Sequence, residues 1–357
     1  MTSDNLPLKE LAHPGYSQEE CEMVVQYLMA LKSDLIREFL TNHKFDSSGT
    51  KPELRDRIET CLKDEKLKYE DIVNFIDTVA PCGKQHIILY EGSESLVKQW
   101  KKDEHINKTL KKNGLAKYLN ARLPLILPEV LTISSITYKP GQELKISAVE
   151  RREYTERVEE YDKEDKTTDG GEIELRAYLL QVSRGVIIFT WDLVANTATI
   201  QISQLPGSSG YEEKEGKFAG LINSFLDIMQ FEKIDLRRAI TKLNELEEAG
   251  KPEARSHGIG YKSPGGRMFT VQSPTCHDST LGESGLDRPL CDIRAKTIGH
   301  IGNFYWLEAS ACPVDHNPLQ EDVHTIIIGD KSRINFTTPN KAEEINYVLS
   351  RVRELCQ

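Results

Sequence analysis

The sequence predicts an α+β protein: a small N-terminal helical module, then a larger mixed region with antiparallel sheets and flanking helices. Three observations predict it. Apolar residues recur at helical spacing through the first eighty residues, residues 173–203 carry the densest β signal in the chain, and the C-terminal part mixes short strand-like runs with one long amphipathic stripe. A length of 357 residues argues for two or three domains, and 38% hydrophobic residues suffice for buried cores. The texture divides the chain into a helical module at 1–80, an α+β domain at 81–250 with a sheet and two C-terminal helices, a Gly/Pro-rich linker or loop at 251–292, and a small strand-rich subdomain with a final helix at 293–357.

Ser17, with Glu20 three residues on, forms a capping box that opens the helical stretch SQEECEMVVQYLMALKSDLIREFLTNHKF. Leu31, Leu35, Ile36, Phe39 and Leu40 make one apolar stripe, and Asn42, His43 and Lys44 end it. A turn follows at 46–49. Thr50 is placed as the N-cap of the next helix, Glu53 closes a second capping box, and Pro52 is tolerated in a first turn. Leu54, Ile58 and Leu62 then repeat every four residues. A helix-loop-helix unit of about 35 residues is smaller than what usually folds alone, so the helix from 17 and the segment LKYEDIVNFIDTV at 67–79 complete its core.

Beyond residue 80, KQHIILYEG reads as a strand, and residues 95–120 read as one or two short helices carrying seven lysines, a solvated face. A Pro-bounded apolar run lies at 123–140, and QELKISAVERREYTERVEEYD continues as a strand into a hairpin arm. Residues 150–174 hold eleven acids against five bases and end in a solvated tip. Three antiparallel strands are expected in 173–203, with LVANTA as a turn. Phe218, Leu221, Ile222, Phe225 and Met229 form one helical stripe, and Leu236, Ile240, Leu243 and Leu246 another, stopped by Gly250. Strands are expected at FYWLEAS, VHTIIIGD and INFTT. A last helix is expected from Asn340 with Glu343 as capping partner, packing Ile345, Val348, Leu349, Val352 and Leu355.

Composition bounds the function. A net charge of −10 opposes non-specific binding of nucleic acid by bulk charge, so any such binding is confined to a local patch. Seven scattered cysteines suit a reducing compartment, and no signal peptide or transmembrane run is expected. The expected location is cytoplasmic: nucleoid-associated if the chain is bacterial, nuclear if eukaryotic. The lack of long low-complexity arms favours a bacterial or antiviral-defence setting.

The stretch LKSDLIREFL, then Phe45, then SGTKPEL and RDRI resembles the SAP domain family over residues 31–63, under a tenth of the chain. The resemblance implies a small helical module that grips double-stranded DNA by its backbone and minor groove. By position it implies Ser48, Gly49, Thr50, Lys51, Arg55 and Arg57 as the DNA-facing set, with Lys32, Arg37 and Lys44 as additions. Two features depart from the family pattern. Lys44 stands where the family commonly has Gly, and a side chain in a left-handed conformation costs about 1–2 kcal/mol. The module also balances seven bases against six acids. The alternative for this stretch is a scaffold whose lysine is merely solvated.

The chain lacks a Walker A loop, a dinucleotide fingerprint, a nucleophile elbow and an H-E-x-x-H motif, so no cofactor is expected. Glu143 and Lys145 alternate on a strand and share a face, as in metal-dependent nucleases, with Glu129 as the candidate second acid. Alternating solvent-facing charge explains the same pair. Cys276, His277, Cys291, Cys312 and His316 supply zinc-type ligands without zinc-type spacing, and incidental thiols are the simpler reading. The reading is therefore a DNA-binding protein without catalysis, whose acidic 81–357 region takes a protein partner. The alternatives are a metal-dependent nuclease fed by the helical module and a non-catalytic interaction scaffold.

Overall fold

The computed structural model describes residues 9–10, 15–166, 168–207, 209–282, 287–294 and 296–357. After a short strand β1 (Lys9–Glu10), four helices form the N-terminal module: α1 (Gln18–Ala30), α2 (Ser33–Asn42), α3 (Lys51–Lys63) and α4 (Tyr69–Val79). The stretch expected as one helix from Ser17 breaks at Leu31 and Lys32, whose extended backbones separate α1 from α2. The Ser17–Glu20 capping box is present, with the Glu20 N–H donating to Ser17 Oγ at 3.1 Å.

The body follows as β2 (Gln85–Gly92), α5 (Glu94–Trp100), α6 (Asp103–Lys112), β3 (Ala121–Arg122), β4 (Thr132–Lys139), β5 (Glu143–Arg157), β6 (Lys163–Lys166), β7 (Glu172–Leu175), β8 (Tyr178–Asp192) and β9 (Thr197–Ser203). It continues through α7 (Tyr211–Ile222), β10 (Phe231–Lys233), α8 (Arg237–Glu248), β11 (Ala254–Lys262), β12 (Met268–Gln272), α9 (Asp287–Arg294), β13 (Ile298–Trp306), β14 (Val323–Ile328), β15 (Arg333–Phe336) and α10 (Ala342–Cys356). Thirteen strands share one sheet in the order β1-β3-β4-β5-β8-β9-β2-β15-β14-β13-β11-β12, with β10 joined to β2, and β6 pairs with β7. β1 and β3 run parallel; the remaining pairs are antiparallel.

β2 lies at the centre and is buried along nearly its whole length. Strand side chains alternate, so each face of β2 feeds a different core. Ile88 and Tyr90 pack with β4, β5, β8, β9 and helices α5–α7 around Trp100, Phe189, Trp191 and Phe218. Ile87 and Leu89 point the other way and pack with α8, α10 and strands β11–β15 around Phe304, Trp306 and Phe336. The two halves of the sheet thus carry helices on opposite faces.

Three expectations change here. Residues 251–292, expected as a linker or loop, hold β11 and β12 within the sheet, and β13–β15 extend the sheet that begins with β2. Two β-bulges in the β11–β13 pairing break the alternation a reader of the sequence would look for. The stripe through Met229 also fails. α7 ends at Ile222, and Asp227 opens a separate turn by accepting the Met229 N–H, which leaves Met229 exposed. The last helix is capped one residue later than expected, at Lys341 with Glu344.

The N-terminal module is built onto the sheet. Its core of Leu28, Ile36, Phe39, Leu40, Leu54, Ile58 and Ile72 is completed by Ile126 and Leu127 of the body, with Val182 of β8 packed alongside. Around this seam, Tyr16 donates to the Pro124 carbonyl at 2.9 Å and Arg122 donates to the Asn74 carbonyl at 3.2 Å. Asp77 of α4 pairs with Arg184 of β8 at 2.5 Å, and both side chains are over 90% buried. Removing one member of a buried pair leaves an uncompensated charge. Asp77→Ala is expected to cost about 3–5 kcal/mol in urea unfolding, and the double variant Asp77→Leu with Arg184→Met to recover most of that loss.

His86 on β2 stacks on Tyr211 of α7 with ring centroids 3.6 Å apart. Burial, aided by the Arg333 charge, pushes its pKa down from 6.5 to about 3. The native state therefore refuses a proton that the unfolded chain accepts near 6.5. The stabilisation is complete above that pH and is lost progressively as pH falls towards 3. Chemical denaturation at stepped pH is expected to show wild type losing stability relative to His86→Phe across pH 6.5 to 4, with a constant difference above pH 7.5.

Candidate nucleic-acid interface

The loop between α2 and α3 is held open by its own side chains. Asp46 accepts from the Ser48 N–H at 2.9 Å and from Ser48 Oγ at 2.7 Å. Arg57, reaching back from α3, donates to the carbonyls of Asp46 and Ser48 at 2.7 and 2.8 Å and pairs with the Asp46 carboxylate at 3.0 Å. Arg37, reaching across from α2, donates to the Gly49 carbonyl at 3.3 Å. Two arginines and one carboxylate thus fix the backbone of 46–49. Serine hydrogen bonds hold the Asp46 carboxyl below the usual carboxylate range.

The residues implied by the family resemblance separate into two groups. Arg37 and Arg57 brace the loop, and Ser48 is tied to Asp46. Lys32, Lys44 and Lys51 are exposed and make no ion pair among the described residues; Arg55 is exposed and pairs with Glu59 one turn on. Lys44 sits at φ 62°, the left-handed conformation expected where the family has Gly. Gly49 sits at φ 110°, which only Gly adopts readily.

The mouth of α3 is less open than the capping pattern suggests. The Glu53 carboxylate folds back onto Thr50, accepting its N–H at 2.6 Å and its hydroxyl at 2.9 Å. These bonds lower the Glu53 pKa. Pro52 contributes no N–H. An arriving anion would therefore meet the lysine side chains rather than a row of free helix N–H groups. A groove of about 520 Å³ between α1, α3 and α4 lies beside Arg55, but Glu22 and Glu59 offset its Arg55 and Lys63.

The catalytic alternative loses its geometry. Glu143 and Lys145 do share a face of β5, yet Glu143 pairs with Lys139 of β4 at 3.3 Å, and burial lowers the Lys145 pKa. Glu129 is exposed on the loop next to Pro128, whose carbonyl accepts the Arg151 N–H. Glu143 lies eight residues back along β5 from Arg151, about 27 Å at strand spacing, so Glu129 and Glu143 cannot hold one metal ion. Nor are Cys276, His277, Cys291, Cys312 and His316 gathered: among the described residues no three His, Cys, Asp or Glu side chains are placed to hold a metal. Cys291 lies near Glu248 of α8, whereas Cys312 lies near Tyr347 of α10.

Sequence reasoning missed the residues that seat the module: Asp77, Arg122 and Arg184, with buried Lys145 alongside. Their signal is pairing between distant positions, Asp77 with Arg122 and with Arg184, which no local pattern reveals. Comparison with protein-family models matched no family, and a search of curated protein sequences found no similar protein.

The left-handed Lys44 gives a direct measurement. Lys44→Gly is expected to raise stability by about 1 kcal/mol, since the side chain no longer opposes the turn. The same change removes one of the free cations of the loop. Thermal or urea unfolding reads the gain; a loss of stability would show that the Lys44 side chain contributes packing that outweighs its strain.

Proposed function

We propose that this chain binds duplex DNA through the turn between α2 and α3, with Lys32, Lys44, Lys51 and Arg55 contacting backbone phosphates. The observation that carries this reading is the division of labour in the loop. Arg37 and Arg57 lock 46–49 from behind, and the exposed Lys44 and Lys51 flank the locked segment. A preorganised loop presenting flexible cations suits a backbone whose charges are regularly spaced and whose sequence is not being read. The resemblance to the SAP family supports the same reading. The acidic remainder of the chain repels DNA, which confines contact to this corner and keeps affinity modest. Such a protein works where duplex DNA is, on the nucleoid of a bacterial cytoplasm or in a nucleus. No helix among the described residues is long and apolar enough to cross a membrane.

Fluorescence anisotropy on labelled duplexes of unrelated sequence tests it. With three to four phosphates neutralised, log K is expected to fall with log salt at a slope of roughly −3 to −4. Lys51→Glu is expected to weaken binding about tenfold on every duplex and to flatten the slope by about one unit or more. A folded Lys51→Glu protein with unchanged affinity and slope would sink the proposal.

A further inference from the structure

β5 and β8 are fifteen residues each, far longer than the sheet around them needs. β4 accompanies β5 only from Glu143 to Val149, and β9 accompanies β8 only from Ile187 to Asp192. Past those points the pair runs on as a two-stranded ribbon to Arg157 and Tyr178, with the β6–β7 hairpin at its tip. Its root is rigid. Arg152 lies across Gly185, where any side chain would collide with the guanidinium, and binds Glu150 at 2.7 Å, which also takes Lys214 of α7 at 2.8 Å.

The ribbon is both apolar and acidic. Tyr178, Leu179 and Leu180 follow one another along β8 and are 58%, 53% and 59% exposed, and Tyr161 and Leu175 are exposed near the tip. Consecutive exposed residues of this kind are uncommon on a protein that has nothing to meet there. From 153 to 176 the sequence holds ten carboxylates against four bases.

Among the described residues, the outer edge of β8 from Tyr178 to Val182 has no strand partner. The Arg151 N–H points away from β8, to the Pro128 carbonyl, and the Val186 N–H points away from β5, to Ser203 Oγ at 2.9 Å. By antiparallel alternation, Tyr178, Leu180 and Val182 direct their backbone N–H and C=O groups outward on the same side as Val186. An exposed, apolar, unpaired edge is a template for one more strand unless something covers it.

We propose that this edge of β8 docks an extended segment of a partner protein by strand addition, and that the segment alternates apolar residues with lysine or arginine. Main-chain bonds to Tyr178, Leu180 and Val182 supply register, and the exposed Leu and Tyr side chains take the partner's apolar positions. The basic requirement comes from the face of the ribbon that carries Leu179 and Gln181, where Glu156 of β5 stands opposite Leu179 and, among the described residues, accepts only from the neutral Gln181 amide; Glu153, on the other face, is already paired with Arg151. An added strand lies about 10 Å from β5, a span that a lysine and a glutamate bridge between them. The same charge disfavours a second copy of the chain, whose ribbon would bring ten more carboxylates to the seam. The inference does not depend on the DNA-binding reading and survives its failure.

The probes are two seven-residue peptides. One alternates lysine or arginine with valine or isoleucine; the other carries glutamate in place of each base. Full-length protein is titrated with each, read by calorimetry and by amide shifts in an NMR spectrum. The basic peptide is expected to bind and to shift amides within 178–182, and the acidic one to bind at least tenfold more weakly. Leu180→Pro removes an outward N–H and no bond to β5, so it is expected to abolish binding while the circular dichroism spectrum stays unchanged. Glu156→Lys is expected to weaken the basic peptide at least tenfold, with the fold checked the same way. Equal binding of the two peptides, no binding of the basic one, or binding indifferent to Leu180→Pro overturns the proposal. So does sedimentation showing a dimer that Leu180→Pro dissolves, since the occupant would then be a second copy.

Discussion

The architecture depends on one strand whose two faces belong to two different cores. β2 offers Ile88 and Tyr90 to one and Ile87 and Leu89 to the other, so it has no solvent side. Its backbone is equally committed: β9 pairs with it along one edge, while β15 and β10 share the other. A strand in this position tolerates neither a polar side chain without a partner nor a shift of register by one residue, because such a shift exchanges the contents of the two cores. His86 illustrates the tolerance that remains. It is buried at the end of β2, stacked on Tyr211, and held neutral. The helices take opposite sides because of β2. α5–α7 cover one face of one half-sheet, and α8 and α10 cover the other face of the other half.

That arrangement leaves the face of β5 and β8 away from α5–α7 in need of cover, and the N-terminal module supplies it. Val149, Val186 and Ile188 pack there with Ala80 and Leu125, while Asp77 and Arg184 join α4 to β8. The small helical unit is therefore a structural layer of the whole molecule as well as the carrier of the proposed DNA contact. The orientation of Lys44 and Lys51 relative to the acidic body is fixed by a packed seam rather than left to a linker. Proteins in which a basic corner is rigidly mounted on an acidic bulk approach a polyanion in one attitude, because the remaining attitudes are repulsive.

Much of this was legible where the cause is local. The capping boxes of Ser17 with Glu20 and Thr50 with Glu53, the left-handed Lys44, the long strand over KQHIILYEG and the β8–β9 turn at LVANTA each follow from residues within a few positions of one another. The rest depends on distant partners or on broken periodicity. Residues 254–262 are glycine-rich and twice bulged, so the pairing with β13 cannot be seen as a two-residue alternation. Arg57 looked like a DNA ligand because its position is right for one; its guanidinium instead serves carbonyls eleven and nine residues back. The Glu143–Lys145 pair was correctly placed on one strand face, but the fold puts Glu129 at the wrong end of that strand. The TTDGGE end of the acidic stretch reads as a solvated tip and the residues before it as a strand into a hairpin arm; the apolar residues at 178–180 form a surface because β8 outruns β9.

The sharing of β2 also sets the order in which the chain can become folded as it is made. β2 precedes all its partners in the chain: they arrive at 197–203, at 231–233 for its last residues, and at 333–336 for Gln85–Ile88. The N-terminal helices wait as well, since Ile126, Leu127 and Val182 belong to their core. Until β15 emerges, the Gln85–Ile88 stretch of a strongly apolar strand has one edge without a partner. Contacts so distant in sequence are slow to form and expose the growing chain to mispairing. A chain truncated before β15 leaves the Gln85–Ile88 edge of that strand without its partner. Helix α10 belongs to the same late step: its residues Ile345, Val348 and Val352 pack in the second core with Ile240 and Leu243 of α8.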